Sequence, residues 1–136
     1  MTVAELARSV NLSATPCSER LRRLVAEKYI SRFTAVLNPA KLRASLLVFV
    51  EITLDRTAPE VFRDFRKAAA SLPEVLECHL VSGNFDYLLK ARVHDMAAYR
   101  NILGERLLAL PGVSGSKSYM VMEEVKETLS LPVLRS

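Results

Sequence analysis

The spacing of hydrophobic residues changes along the chain, from helical periodicity in the first third to short strand-like runs in the remainder. Thr2, with Glu5 three residues later, has the form of a capping box and predicts a short helix over residues 3–9. Ser13 is a suitable N-cap and Pro16 fits only in a first helical turn, which together predict a second helix ending near residue 28. The apolar residues of this helix recur at i, i+4 and i+7 and predict its buried face: Cys17, Leu21 and Leu24.

Beyond residue 44 the apolar runs predict alternating strands and helices. Strands are predicted over residues 46–54, 75–81, 85–93 and 113–123, and helices over residues 57–71 and 96–110. The segments Leu72–Val75 and Leu110–Val113 both have the pattern Leu-Pro-X-Val, and each follows a predicted helix and opens a strand. The resulting order, β-α-β followed by β-α-β, is the ferredoxin-like plan, so an α+β fold is predicted. Residues 29–37 are predicted to form a strand or small wing, and residues 40–44 a linker or short helix.

The predicted hairpin between the two halves has an acidic residue at its mouth. Ser82, Gly83 and Asn84 separate two apolar runs, which predicts a tight turn with Gly83 at positive φ. Asp86 follows at the start of an otherwise apolar strand, where a buried carboxylate needs a partner or a ligand. The sheet has helices on one face only, and its other face is apolar. We therefore expect that face to pack against a second copy, because a twofold interface uses one patch twice.

Basic residues are concentrated at the front of the chain. Residues 1–45 carry eight basic and three acidic side chains, a net charge of +5, whereas residues 46–136 have a net charge of −1. Two short helices joined by a tight turn, the second with polar residues facing outward, make a helix-turn-helix pattern. Arg, Ser and Thr suit base edges and phosphates, although a solvated basic face is the alternative. The predicted contacts to double-stranded DNA are Ser13, Thr15, Ser18, Arg22 and Arg23.

Composition narrows the remaining function classes. The chain has 136 residues, half of them hydrophobic and a quarter charged, which is typical of one globular domain or two small ones. The longest strongly apolar run, Leu46–Val50, is too short to cross a bilayer, and no signal peptide is evident. Cys17 and Cys78 therefore predict free thiols in a reducing, cytoplasmic compartment. The chain has two histidines without metal-ligand spacing, no nucleophile motif and no phosphate loop, so neither an enzyme nor a metal or cofactor site is expected.

Several long segments closely resemble the Lrp/AsnC (feast/famine) family of transcription regulators, over nearly the whole chain. These segments are residues 12–17, 46–54, 77–90, 95–100, 110–113 and 119–126. The resemblance implies a helix-turn-helix in residues 1–44 and a ferredoxin-like ligand-sensing domain in residues 45–136. It also implies homodimers formed through the sheets, which assemble into octamers or similar rings. An amino acid, leucine or another aliphatic one, is expected to bind between sensor domains and to shift DNA affinity.

The resemblance also implies which residues respond to the effector. The matching positions are Leu80, Gly83, Asp86, Met96, Tyr119, Met120 and Val121. Apolar members of this set are suited to surround an aliphatic side chain, while Asp86 and the turn N–H groups suit an ammonium and a carboxylate. The alternative is that Leu80, Met96 and Val121 are plain interface core. Asn84 and Met120 differ from the residues of close relatives and leave the effector preference open.

The front of the chain departs from the family pattern. The family's DNA-binding domain has another helix before the point at which this chain begins. Either the start codon is misassigned, or the protein is truncated and binds DNA poorly. The second interpretation leads to an alternative function, a stand-alone amino-acid-sensing module that joins full-length relatives and modulates them without binding DNA.

Overall fold

The computed structural model describes residues 14–133, apart from the side chains of Ala14, Thr15 and Ile102. The predicted helix over residues 3–9 and the N-cap at Ser13 lie outside this range. The chain divides between Leu37 and Asn38 into two compact units. Residues 38–44, assigned from the sequence to the first domain, group with the second unit.

The first unit contains the predicted second helix, α1, over Ala14–Ala26. The helix ends slightly before the expected residue, because Lys28 takes a left-handed φ of 64°. The N–H of Tyr29 bonds to the carbonyl of Leu24 at 2.8 Å, and the N–H of Lys28 bonds to that of Val25 at 3.0 Å. This pair of bonds is a Schellman motif, which satisfies the last carbonyls of the helix.

The strand or wing predicted over residues 29–37 is not formed. These residues form no strand or helix, and no described strand pairs with them. A strand requires a neighbour to bond its N–H and C=O groups, so an extended sequence alone does not make one. The following 3₁₀ turn, Pro39–Leu42, agrees with the predicted short helix, and the Asn38 side chain caps it at 3.1 Å.

The second unit is an antiparallel sheet with helices on one face. Its strands are β1 (Leu46–Leu54), β2 (Val75–Leu80), β3 (Tyr87–Val93) and β4 (Val113–Met120). Its helices are α2 (Val61–Ala70), α3 (Met96–Ala98) and α4 (Gly104–Leu108), with a π-helical turn, Tyr99–Leu103, joining the last two. The spatial order β2-β3-β1-β4 follows the ferredoxin-like plan, which confirms the predicted fold.

The core lies between the sheet and the helices. Alternate residues of β1 and β3 point inward and are buried, as strand geometry requires. Phe65 of α2 contributes a fully buried ring that packs against Tyr87, with ring centroids 4.7 Å apart. The opposite side of the sheet, here called the outer face, carries Leu47, Phe49 and other odd-numbered residues of β1.

Several element ends differ from the predictions for local reasons. The helix predicted from residue 57 begins at Val61, after the turn that Asp55 forms by accepting the N–H of Thr57 at 3.1 Å. The helix predicted over residues 96–110 is capped by Asp95 as expected, but the N–H of Gly104 bonds to the carbonyl of Tyr99, which creates the π turn. The last strand ends at Met120, short of the predicted residue 123.

Candidate functional site

The hairpin between β2 and β3 is connected by a loop rather than a three-residue turn. The N–H of Val81 bonds to the carbonyl of Asp86 at 3.0 Å and closes the loop. Gly83 has a φ of 153°, in agreement with the predicted positive φ. Within the described residues, the N–H groups of residues 82–85 have no hydrogen-bond partner. The loop, whose residues 82–84 are exposed, therefore presents a row of unpaired donors, the kind of backbone surface that binds an anion.

Asp86 lies at the end of this loop and is 3% exposed. One carboxylate oxygen accepts the N–H of Leu54 at 2.8 Å, and the other accepts a hydrogen bond from the Arg56 guanidinium. The Leu54 N–H, together with Arg56, outweighs the effect of burial and lowers the pKa of Asp86. A partner for this carboxylate is thus supplied within the chain, by the last residue of β1 and by Arg56 two positions later.

A second group of predicted effector residues lies where β4 ends and α3 begins. The Tyr119 hydroxyl donates to Oε1 of Glu51 at 3.1 Å, and Tyr119 and Met96 are partly exposed. Met120 points inward and packs against the core. The Val121 N–H bonds to the carbonyl of Leu47 at 2.9 Å.

Strand register separates the two groups. Leu80 on β2 pairs with Tyr87, which pairs with Ile52, whereas Met120 on β4 pairs with Val48. Ile52 and Val48 are four residues apart on β1, about 13 Å along the strand, and β2 and β4 are three strand spacings apart, about 14 Å. The diagonal is about 19 Å, far longer than the ~3.6 Å that one amino-acid backbone spans. Within one chain, the seven predicted residues therefore do not line one amino-acid site.

The outer face of the sheet is less uniformly apolar than the sequence suggested. The segment after β4 crosses this face, and Glu124 bonds to Arg92 at 2.6 Å, which lowers the pKa of the Glu124 carboxyl. Glu127 bonds to Arg92 at 3.3 Å, and Lys90 pairs with Glu77 at 3.3 Å. A cavity of about 410 Å³ lies beneath this segment, lined by Leu47, Phe49, Lys90, Val121 and residues 123–127. Lys90 and Arg92 of the outer face thus form ion pairs, beside an apolar floor.

The predicted DNA-contacting residues are only partly described. Arg22 and Arg23 of α1 are exposed and Ser18 is half-buried. Ser13 and the side chain of Thr15 lie outside the described residues. Cys17 is buried as predicted, but Leu24 is 38% exposed, so the apolar face of α1 is not fully covered by the described residues.

An apolar hollow of about 410 Å³ lies beside the polar face of α1. It is lined by Ser18, Leu21, Arg22, Val25, Ala26 and Phe33.

No group of three or more His, Cys, Asp or Glu side chains suited to a metal ion occurs among residues 16–133 with described side chains. Nor does any described helix have the length and hydropathy of a membrane span.

Comparisons with known proteins agree with this architecture. Residues 47–131 match the Lrp/AsnC ligand binding domain, and residues 1–31 match a winged helix-turn-helix DNA-binding model. The chain is 60% identical over 129 residues to the leucine-responsive regulatory protein of Klebsiella pneumoniae, covering 95% of this chain and 79% of that protein.

Solved structures that match this chain are also transcription regulators. A transcriptional regulator–L-Met complex from Neisseria meningitidis matches with a TM-score of 0.85 and 35% identity, covering 97% of this chain and 85% of that one. An AsnC family transcriptional regulator from Agrobacterium tumefaciens matches with a TM-score of 0.84 and 36% identity, covering 97% and 86% of the two chains. The chain belongs to the Lrp/AsnC family of DNA-binding, amino-acid-responsive transcription regulators.

Proposed function

We propose that this regulator binds leucine or another aliphatic amino acid at a site built from two copies of the chain. The observation that carries this proposal is the separation of the predicted effector residues by about 19 Å across the sheet. In this arrangement one copy contributes Leu80, Gly83 and the loop anchored by Asp86. The other copy contributes Met96, Tyr119, Met120 and Val121.

The chemistry of each half suits one part of a zwitterionic amino acid. The unpaired N–H groups of residues 82–85 suit the carboxylate. Leu80 is 62% exposed and Met96 is 46% exposed, so both leave apolar surface for an aliphatic side chain. Met120 faces the core and acts by holding β4 in place. A relative that is leucine-responsive and a structural neighbour with L-Met both support an apolar amino acid as the effector.

The assembly follows from the outer face. We propose a homodimer in which outer faces pack together, and an octamer or similar ring in which dimers share effector sites. Phe49, Leu88 and Tyr119 are partly exposed on this face and would be covered by the partner. The ion pairs of Lys90 and Arg92 with nearby glutamates lower the cost of burying these two charges at the interface.

Contact with DNA is proposed for the polar face of α1. Arg22 and Arg23 would contact phosphates or base edges, with Ser13, Thr15 and Ser18 beside them. Such binding would take place in the cytoplasm, where the DNA partner is found. Replacing Arg22 and Arg23 with Ala should weaken binding and reduce the salt dependence by about one unit of slope for each phosphate that is no longer neutralised.

That double variant is tested by fluorescence anisotropy on DNA selected from a random-sequence pool. Arg63→Ala is the matched control and should bind DNA normally, because Arg63 is an exposed arginine of the second unit, hereafter the sensor unit. Light scattering should give the same particle size for all three proteins. Unchanged affinity and unchanged salt slope in the double variant would mean that α1 is not the DNA-reading element.

The two-copy site is tested by mixing variants. Leu80→Glu and Met96→Glu each damage one half of the proposed site at an exposed position, so the fold should remain intact. Each variant alone should lose calorimetric binding of L-leucine. Mixed oligomers formed by co-expression should regain it at roughly a quarter of the sites, because random pairing joins two intact halves in that proportion. A mixture without binding would argue for a site within one chain.

A further inference from the structure

Arg56, two residues after β1 ends at Leu54, is an exposed side chain held in place by two contacts at the hairpin end. Its side chain is 72% exposed, yet it is held at one end by the buried carboxylate of Asp86. The guanidinium also lies over the Phe62 ring, 5.7 Å from the centroid. An exposed arginine normally samples many rotamers. Here a buried acid and an aromatic ring restrict the guanidinium to one place.

Most of the hydrogen-bonding capacity of Arg56 remains unused. A guanidinium carries five N–H donors, and the contact with Asp86 uses one nitrogen, Nη2. No other described residue accepts a hydrogen bond from Arg56. The remaining donors form part of a planar fork, which matches the two oxygens of a carboxylate.

The same Asp86 also ends the loop that carries the unpaired N–H groups. The Asp86 carbonyl accepts the Val81 N–H at 3.0 Å, and the Asp86 N–H donates to the carbonyl of Ile52 at 2.9 Å. One buried residue thus fixes both the loop and the guanidinium relative to β1. The two carboxylate oxygens of Asp86 accept hydrogen bonds, one from the Leu54 N–H and one from Arg56. Of these two donors only Arg56 is charged, so Arg56 is the electrostatic partner of Asp86.

We propose that Arg56 binds the carboxylate of the effector together with the loop N–H groups, and that Asp86 is a positioning residue that orients Arg56. This inference rests on the proposed amino-acid response and assigns its carboxylate contact. The prior restriction of Arg56 removes the rotamer entropy that binding would otherwise cost. A specificity follows: ligands must carry a free carboxylate, so an amide of the same amino acid should bind poorly.

The test is calorimetric titration of the full chain with L-leucine and with L-leucinamide, which differ only in the carboxylate. Wild-type protein should prefer L-leucine by about tenfold or more, the scale of one charge-assisted hydrogen-bond pair. Arg56→Gln should weaken L-leucine binding by about 10- to 100-fold and leave L-leucinamide binding within about threefold. Arg56→Lys should recover part of the preference, because it keeps the charge but not the fork.

Arg63→Gln is the matched control, because Arg63 is also 72% exposed and also pairs with an acid, Asp64. It should behave as wild type with both ligands. Asp86→Asn should weaken L-leucine binding, and adding it to Arg56→Gln should cause little further loss, because both changes act through one guanidinium. Circular dichroism verifies that each variant is folded.

The outcomes separate this inference from the proposed function. If wild type binds L-leucine and Arg56→Gln keeps the same preference over L-leucinamide, the effector site stands and the role of Arg56 is refuted. Equal weakening of both ligands by Arg56→Gln also refutes it, since that result indicates a general disturbance of the site. If wild type binds neither ligand, both this inference and leucine as the effector are refuted.

Discussion

Replacing Asp86 with Ala removes two hydrogen bonds from a carboxylate that is 3% exposed. The larger loss is at Leu54, whose N–H would be buried without a partner, which costs about 1–3 kcal/mol. The ion pair with Arg56 adds at most about 1 kcal/mol, because that guanidinium is 72% exposed and solvent screens it. The free energy of unfolding should therefore fall by about 1–4 kcal/mol, a large share of the ~5–15 kcal/mol typical of a native protein.

The pH dependence gives a second, independent check. The pKa of Asp86 in the folded state is lowered from its ordinary value of 3.8, chiefly by the Leu54 N–H. A lowered carboxyl pKa means that the stabilisation is fully present above pH 3.8 and is lost as the pH falls through the folded-state pKa. The difference between wild type and Asp86→Ala should thus be constant from neutral pH to about pH 5 and narrow below about pH 4.

Urea denaturation followed by circular dichroism measures both effects, at one protomer concentration because assembly shifts apparent stability. Asp64→Ala is the control, because its carboxylate is exposed and pairs with an exposed arginine; it should change stability by less than about 0.5 kcal/mol. Asp86→Asn should cost about 1 kcal/mol, since the amide oxygen still accepts the Leu54 N–H. If Asp86→Ala and Asp64→Ala unfolded at the same urea midpoint, the stabilising role assigned to the Asp86 carboxylate would be refuted.

Two further substitutions test the packing of the sensor unit by the same denaturation assay. Gly112→Ala should destabilise by about 2–4 kcal/mol, because Gly112 has a φ of 76° and a Cβ there would lie 2.2 Å from Val61 Cγ1; a loss below about 0.5 kcal/mol would contradict that geometry. Tyr87→Phe should stabilise by about 1 kcal/mol, because the hydroxyl is buried and has no hydrogen-bond partner among the described residues. A loss greater than about 1 kcal/mol would reveal a partner for that hydroxyl.

Periodicity predicted the sensor unit well because its signals are local. The β-branched and apolar run over Leu46–Leu54 coincides with β1 at both ends. Asp95 caps its helix as its position predicted, with its side chain accepting the Ala98 N–H at 2.8 Å. Strand order followed from the alternation of elements, since few topologies satisfy it. For the strand and for the helix cap, the information that specifies the element lies within a few residues of it.

The sequence was less informative where distant residues decide the structure. Asp86 and Arg56 are thirty positions apart, and neither residue type nor spacing indicates that they pair. The sequence required a partner or a ligand for Asp86 and named no residue of the chain as that partner. The residues predicted to respond to the effector are separated by strand register, which becomes visible only when the pairing is known.

The strand expected over residues 29–37 failed for a related reason. Its residues have the right composition, but composition does not supply a neighbouring strand, and none of the described segments provides one. Similarly, the π turn at Tyr99–Leu103 depends on one backbone bond, from the Gly104 N–H to the Tyr99 carbonyl, that helical periodicity does not encode.

The central claim is that amino-acid binding to the sensor unit changes the affinity of the protein for DNA. The most direct measurement is the dissociation constant for a selected DNA fragment, determined by fluorescence anisotropy at fixed salt over a series of L-leucine concentrations. A coupling free energy of about 1–3 kcal/mol between the amino-acid site and the DNA site predicts a saturable change of about 5- to 150-fold in DNA affinity. The same factor should appear in the affinity for L-leucine with and without DNA, because linkage is reciprocal. A DNA dissociation constant that stays the same at every L-leucine concentration would contradict the account.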